Sequence, residues 1–400
     1  MVILILNSGS SSVKYQLWDT KGDGMLAKGL VSRIGIDKPK LEHKTNDKKY
    51  EYFPDGKIDH NDAVKLALDA LVDTEHGVIE NIGQIDAIGH RVVHGGEKFA
   101  ESALITDDVI DAIKECIPLA PLHNPPNLMG IEACRKLMPN IPQVAVFDTA
   151  FHQTMEPNAY MYALPYELYE NNKIRRYGFH GTSHYYVSNK AAEFLGKPIE
   201  ELRIITAHLG NGASMTAVKH GKSVDTSMGF TPLEGLVMGT RTGDMDPAIV
   251  IFVMEHMNMT PAAANNFFNK KSGLLGISGK SNDVRDILEA SGKGDVKAKL
   301  ALEVYTYRIK KYIGAYSAAM GGLDVLVFTA GAGENSPFIR RKSTEGLEFI
   351  GIKIDDTKNE SAIGKIMDIS TDDASVRTLV IPTNEELVIA NETERIVSKI

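Results

Sequence analysis

A short apolar run opens the chain, and its pattern recurs in the second half. Val2–Leu6 contains only Val, Ile and Leu. It is followed by Asn7, Ser8, Gly9, Ser10, Ser11 and Ser12, and then by Val13–Asp19. A run this short suits a buried strand rather than a helix. The connector is made of small residues, so backbone N–H groups and hydroxyls can approach a guest, and Lys14 adds charge. A phosphate is the natural guest for such a loop, although the same residues also build an ordinary polar hairpin. Roughly 200 residues later, Arg203–Ala207 leads into His208, Leu209, Gly210, Asn211, Gly212 and Ala213, and Ser214–Lys219 follows. Alternating helices and strands come after each copy. An internal duplication explains this most economically: two α/β domains, each with a mixed sheet. A cleft between two such domains is a standard place for a ligand.

Bulk properties agree. The chain has 400 residues, more than one core usually serves. It is 43% hydrophobic and 24% charged, ordinary for a globular protein. The net charge is −8, with no basic tract or basic and aromatic stripe, so a nucleic-acid partner is not expected. Cys116 and Cys134 lack CxxC spacing. They form neither a disulfide framework nor a zinc site, and fit a reducing compartment. Val2–Leu6 is too short for the apolar core of a signal peptide, and no run approaches a membrane span. A cytoplasmic protein with no membrane partner is expected.

Periodicity predicts further strands at Met25–Val31, Lys48–Phe53, Ile85–Val93, Gln143–Phe147, Leu323–Thr329 and Val376–Ile381. Helices are predicted over Asn61–Val72, from Thr106 to Cys116, and over Pro126–Leu137, His184–Leu195, Pro247–Met257, Pro261–Lys271, Val296–Met320 and Glu385–Ser398. Residues 149–180 read as irregular.

A third small-residue loop, Gly331, Ala332, Gly333, Glu334 and Asn335, follows a strand and precedes a helix opened by Ser336 and Pro337. That order aims helix N–H groups at an anion. It is not the dinucleotide fingerprint, because Ser336 stands where the last Gly belongs. Gly273–Ser281 reads GLLGISGKS, but its spacing does not fit a phosphate loop. It leads to Asp283 and Arg285 and can line a nucleotide pocket in another way. The pairs His90/His94 and His180/His184 have i, i+4 spacing, but neither carries the HExxH glutamate, so zinc is not expected. A histidine beside Gly181 better donates a hydrogen bond to a ligand oxygen. Arg91 in HRVVHGG and Arg241 in GTRTGDMDP lie among glycines, where a planar fork suits carboxylate or phosphate. Asp148 ends a buried strand, as a catalytic or metal-organising carboxylate would, or as a cap for Thr149 onward. Glu385 and Glu386 open the last helix, where acidic residues also favour the helix dipole.

Taken together, NSGSSSVK at 7–14, HRVVHGG at 90–96, FDTAFH at 147–152, RRYGFHGTSH at 175–184, HLGNGAS at 208–214, MGTRTGDMDP at 238–247, GLLGISG at 273–279, FTAGAGENS at 328–336 and PTNEE at 382–386 resemble the acetate kinase family. The resemblance spans essentially the whole chain. It implies a duplicated ribonuclease-H-like (actin-like ATPase) α/β fold with a central nucleotide cleft. The domains would be residues 1–148 and 149–384, the second carrying most of the nucleotide site, with the last helix, 385–400, a candidate to pack back on the first. It also implies reversible, direct in-line transfer of the ATP γ-phosphoryl group to acetate, giving acetyl phosphate and ADP. Mg²⁺ would be required, with Mn²⁺ its substitute, and the enzyme would be a homodimer. By match to the family's motifs, Asn7 and Glu385 belong to the metal site. Lys14, His208, Leu209, Gly210, Asn211, Gly212, Asp283, Val284, Arg285, Gly331, Ala332, Gly333, Glu334 and Asn335 line the nucleotide. Arg91 holds the acid, Asp148 is the assigned acid/base group, and His180 and Arg241 stabilise the transition state. Val93, Leu122, Phe179 and Pro232 form the small apolar pocket for the substrate methyl.

Phosphoryl transfer needs positioning and charge neutralisation more than covalent help. Acetate is already ionised at neutral pH, so its attack requires no proton removal. Asp148 is therefore expected to orient metal-bound water or an arginine rather than to act as a base. So small an acid gains at most about 1.5 kcal/mol per heavy atom, which predicts a KM well above micromolar. Two other readings use the same frame: a propionate or butyrate kinase with a roomier pocket, and a nucleotide-switched binding or filament protein of the actin and chaperone type. The second has no anionic acceptor for Arg91 and Arg241 to clamp. A zinc hydrolase is the weakest.

Overall fold

The computed structural model describes residues 1–400 except Asp23 and Asn46. Strands β1 (Val2–Ser8), β2 (Ser12–Asp19), β3 (Gly24–Ser32), β4 (Lys40–Thr45) and β5 (Lys49–Tyr52) form a meander. Helix α1 (His60–Leu71), β6 (Ala87–Val92), β7 (Ala103–Leu104), α2 (Asp107–Glu115), α3 (Asn124–Leu137) and β8 (Gln143–Phe147) follow. Helices α4 (Pro157–Tyr160), α5 (Tyr166–Asn172) and α6 (Gly181–Leu195) lead to β9 (Arg203–Leu209), β10 (Ala213–Lys219) and β11 (Lys222–Thr226). Next come α7 (Ala248–His256), α8 (Pro261–Lys270), α9 (Gly273–Ser278), α10 (Val284–Gly292) and the long α11 (Val296–Met320). The chain ends with β12 (Val325–Thr329), α12 (Ala330–Asn335), α13 (Pro337–Thr344), α14 (Asp356–Ser361), β13 (Met367–Asp368), β14 (Arg377–Val380) and α15 (Glu385–Val397).

These elements divide into two units, Met1–Phe151 with Asn384–Ile400, and His152–Thr383. The first holds a sheet of order β5-β4-β3-β2-β1-β6-β8-β7, the second a sheet of order β11-β10-β9-β12-β14-β13. Both contain the same core. Two hairpin-linked antiparallel strands precede three parallel ones, as β3-β2-β1-β6-β8 and as β11-β10-β9-β12-β14. Each core ends in a short antiparallel strand, β7 or β13. This is the ribonuclease-H-like order, made twice.

In the first unit β1 is covered on both faces. Leu4 and Leu6 pack with Val64, Leu68 and Leu71 of α1 and Ala133 of α3. Ile3 and Ile5 pack with Ile389 and Ala390 of α15. Burial on both faces explains the unbroken apolar run, and each such side chain contributes about 1.5–3 kcal/mol. Helix α15 comes so close to β6 that a Cβ on Gly89 would lie 2.5 Å from Thr393 Oγ1 and 2.6 Å from Ile389 Cγ2. Asp59 and Asp62 cap α1 reciprocally, and the Asn384 side chain accepts from Leu387 N to start α15. In the second unit α6 packs on β9 and β12, and α11 on β9 and β10.

Several local expectations need correction. Asn7 and Ser8 continue the β1–β2 ladder and Ser12 pairs with Ser32 of β3, so the opening loop is only Gly9–Ser11. His208 and Leu209 likewise belong to β9, leaving residues 210–212 as the turn. Gly331–Asn335 is a helical turn, α12, rather than a loop. It begins at Ala330 with a left-handed φ of 60°, and the Glu334 carboxylate accepts from Ala330 N at 2.6 Å. Residues 149–180 contain α4 and α5, and α6 starts at Gly181 rather than His184. Strand β4, with its charged alternation, and helix α10 have no counterpart among the predicted elements.

Candidate active site

In the first unit the expected residues gather at the carboxyl ends of the parallel strands, where ligands bind in open α/β sheets. Asn7 is near the end of β1, Arg91 near the end of β6, and Asp148 follows β8. Helix α15 begins there too, with Glu385 in its first turn. Arg91 grips Asp148 with two parallel bonds: Nε donates to Oδ1 at 3.0 Å and Nη2 to Oδ2 at 2.6 Å. Asp148 is 1% exposed. Glu385 Oε2 lies 3.9 Å from Arg91 Nε. Burial opposes the Arg91 charge, but Asp148 and Glu385 outweigh it and raise its pKa. Burial pushes the Glu385 carboxyl up to about 7, with Asp148 and Glu386 adding to the rise and Arg91 opposing it. Asn7 pairs with Lys14 across the β1–β2 ladder. Asn7, Lys14, Arg91, Glu385 and Glu386 line one cavity of about 280 Å³. Val93 is buried, its N–H donating to Asn127 Oδ1 at 3.0 Å. Leu122 is 58% exposed.

In the second unit His180 caps the start of α6 with a left-handed φ of 55°. Gly178 before it is also left-handed (φ 76°), and a Cβ there would lie 2.3 Å from Thr226 Cγ2. Non-glycine residues in this region carry strain, which clusters where a side chain must be aimed. The His180 ring stacks on His208, centroids 4.2 Å apart. A Cβ on Gly212 would lie 3.6 Å from His180 Nε2 and 3.5 Å from Arg241 Nη1, so both groups face the β9–β10 turn. Arg241 donates to the Pro232 carbonyl at 3.2 Å, and among the described residues no carboxylate pairs with it. Burial lowers its pKa, and without a carboxylate partner among the described residues its charge is suited to an anion. Phe179 is buried, its carbonyl 3.0 Å from His152 Nε2.

A cavity of about 670 Å³ lies beside the same turn, bordered by Leu209, Gly210, Asn211, Asp283–Arg285, Gly331, Ala332 and Asn335. Its walls are tied together. Asn282 Nδ2 donates to Asn211 Oδ1 at 3.1 Å, and Asp283 caps α10 while pairing with Arg285. Gly331 lies close to the turn, since a Cβ there would stand 3.2 Å from the Leu209 carbonyl. Glu334 points inward, accepting from Ala330 N and, at 3.0 Å, from Thr383 N. Gly333 accepts from the fully buried Arg340, whose Nη1 lies 2.9 Å from its carbonyl.

Residues 2–391 match the sequence profile of the Acetokinase family. The chain belongs to the acetokinase family. A relative from Thermotoga maritima, described as an acetate kinase, is 60% identical over 405 aligned residues, covering 100% of both chains. The crystal structure of Porphyromonas gingivalis acetate kinase is 51% identical, with a TM-score of 0.95 over 99% of each chain. That of a propionate kinase from Francisella tularensis is 45% identical, with a TM-score of 0.92 over 98% of this chain and 99% of the other.

Sequence reasoning missed the polar residues behind these acetokinase motifs. Ser214 Oγ lies 2.8 Å from His180 Nδ1 and 2.7 Å from His184 Nε2. Ser183 Oγ lies 2.8 Å from both His208 Nδ1 and Thr383 Oγ1. The available signal was Thr206 and His208 alternating in the otherwise apolar RIITAHL, a polar stripe on a buried strand.

Proposed function

We propose that this chain is an acetate kinase: a carboxylate oxygen of acetate attacks the γ-phosphorus of ATP in line, the bond to the bridging oxygen breaks, and ADP leaves as acetyl phosphate forms. No proton moves, and the step runs in both directions. The observation that carries this reading is the end-to-end 60% identity with the Thermotoga maritima acetate kinase. The domains are assigned as residues 1–148 and 149–384, the last helix belonging with the first. Arg91 holds the acid, with Val93, Leu122, Phe179 and Pro232 around its methyl group. Asp148 holds Arg91, a role supported by the two-bond clamp and by the absence of any proton to remove. The larger cavity takes ATP between the β9–β10 turn, Asp283–Arg285 and Gly331–Asn335. Arg241, His180 and Lys14 meet the developing negative charge.

The metal is assigned as Mg²⁺, with Mn²⁺ its substitute. Asn7 and Glu385 offer hard oxygen donors on one cavity wall, and Mg²⁺ commonly takes one or two protein oxygens together with water and phosphate. When bound it neutralises phosphate charge. A homodimer is supported by α7, a nine-residue, almost wholly apolar helix with no buried residue, on which Ile251 and Phe252 are 63% and 65% exposed. Its occupant is a second copy of this chain. A cytoplasmic location is the reading that the two free, buried cysteines support.

Enzyme, Mg-ATP, acetate and hydroxylamine together should yield acetyl hydroxamate; none from folded protein would sink the reading. The kinship with a propionate kinase supports a second substrate. An extra methylene alters discrimination by about 1–3 kcal/mol, so propionate should react with a lower kcat/KM than acetate. A substrate panel giving butyrate and acetate equal kcat/KM would contradict the small pocket.

A further inference from the structure

Thr206, His184, Ser214 and His180 form a continuous hydrogen-bonded row in the second unit. Thr206 Oγ1 lies 2.7 Å from His184 Nδ1, His184 Nε2 lies 2.7 Å from Ser214 Oγ, and Ser214 Oγ lies 2.8 Å from His180 Nδ1. Thr206, His184 and Ser214 are each fully buried. The row has a direction. Among the described residues His184 Nδ1 is the only partner of the Thr206 hydroxyl. Were His184 to donate to Thr206, the threonine hydrogen would be buried with nothing to accept it, the costly arrangement. Thr206 therefore donates to Nδ1. A neutral His184 must then carry its proton on Nε2 and donate it to Ser214. Burial, with His152 and His208 alongside, keeps His184 neutral by pushing its pKa well below 6.5. Ser214 has one hydrogen, and the remaining neighbour is His180 Nδ1, which must accept it. The His180 proton is left on Nε2, the nitrogen facing the β9–β10 turn beside Arg241.

We propose that Thr206, His184 and Ser214 are positioning residues that fix His180 as its Nε2–H tautomer, so that the ring offers a donor to a phosphoryl oxygen without needing a charge. The kinetic consequence rests on the phosphoryl-transfer reading, whereas the tautomer does not. A charge-free donor keeps its hydrogen bond at pH values where an imidazolium would have lost its proton, and the stack on His208 holds the ring plane.

The test is imidazole ¹⁵N NMR of the full chain at pH 8, with the His180 signals identified by their loss in His180→Gln. The expected wild-type spectrum has a protonated Nε2 and an unprotonated Nδ1. Ser214→Ala and Thr206→Val should each convert it to a tautomer mixture. In both, kcat should fall roughly five- to tenfold, the effect of one lost hydrogen bond, with KM for acetate and ATP nearly unchanged. A wild-type His180 protonated on Nδ1 would overturn the proposal, as would a His180 spectrum or kcat unmoved in both variants. If the spectra behave as expected but no acetyl hydroxamate forms, the kinase reading fails and the row stands.

Discussion

Arg91 presents two usable edges, and the structure commits one of them. Nε and Nη2 face Asp148, which leaves the Nη1/Nη2 end for a ligand carboxylate or phosphate. Asp148 thus fixes the plane of the Arg91 guanidinium, and under the proposed function the plane in which the acid is received. This favours the arginine-orienting role over both metal-bound water and proton abstraction. Asp148→Asn keeps the size but offers only one acceptor to the fork, so Arg91 can turn. Because small misplacements in a near-attack geometry cost on the order of 10²-fold in rate, kcat should fall by about that factor. The pH–rate profile should gain no new limb, since no base has been removed. A new limb in the Asp148→Asn enzyme with unchanged metal dependence would return Asp148 to the role of base.

At the scale of elements, the two hairpins explain what the sequence made legible. In β1–β2 Asn7 stands opposite Lys14, and in β9–β10 His208 stands opposite Ser214, each pair one step from the last pair before the turn. The repeat of strand, small-residue turn and strand exposed this correspondence. Composition nonetheless placed the turns too wide, because Asn7, Ser8 and Ser12 look like loop residues while their backbones belong to the strands. GAGEN reads as a loop for its glycines. The left-handed Ala330 and the Glu334 carboxylate instead wind it into a helical turn, and neither is visible locally. The bonds of Ser214 to two histidines depend on where α6 docks against β9 and β10, a long-range fact that no local pattern carries. Helix α7 is the opposite case: Ala248–Met254 is apolar throughout, so its sequence alone says it must be covered. Phe252→Glu would place a charge in that cover. Under the proposed homodimer, sedimentation should then shift from twice the chain mass to the chain mass, and an unchanged dimer would move the interface elsewhere.

At the scale of the whole molecule, both units bury neutral histidines, and this ties stability to pH. Burial lowers His90 in the first unit and His152 in the second from 6.5 to about 4, and lowers His184 further in the same direction. A histidine depressed in the folded state takes up a proton on unfolding between its two pKa values. The unfolded chain therefore binds more protons in that window, and stability rises with pH there. His90 and His152 each contribute fully above pH 6.5 and lose their contribution as pH falls towards 4, and His184 acts in the same direction. The slope is at most about 1.4 kcal/mol per pH unit for each histidine. Most carboxylates remain largely ionised from about pH 7.5 to about 5.5; Glu385, raised to about 7, takes up its proton in the folded state there and opposes one histidine, so the remaining buried rings set the sign of the change. Thermal denaturation across it should show Tm constant near pH 7.5 and falling progressively below pH 6.5. His90→Gln, which removes one titrating group and keeps a side chain able to donate towards Gln143, should flatten the fall without abolishing it. A Tm independent of pH down to 5.5 would mean that these rings are protonated within the fold, and that the neutral His184 on which the tautomer row depends is wrong as well.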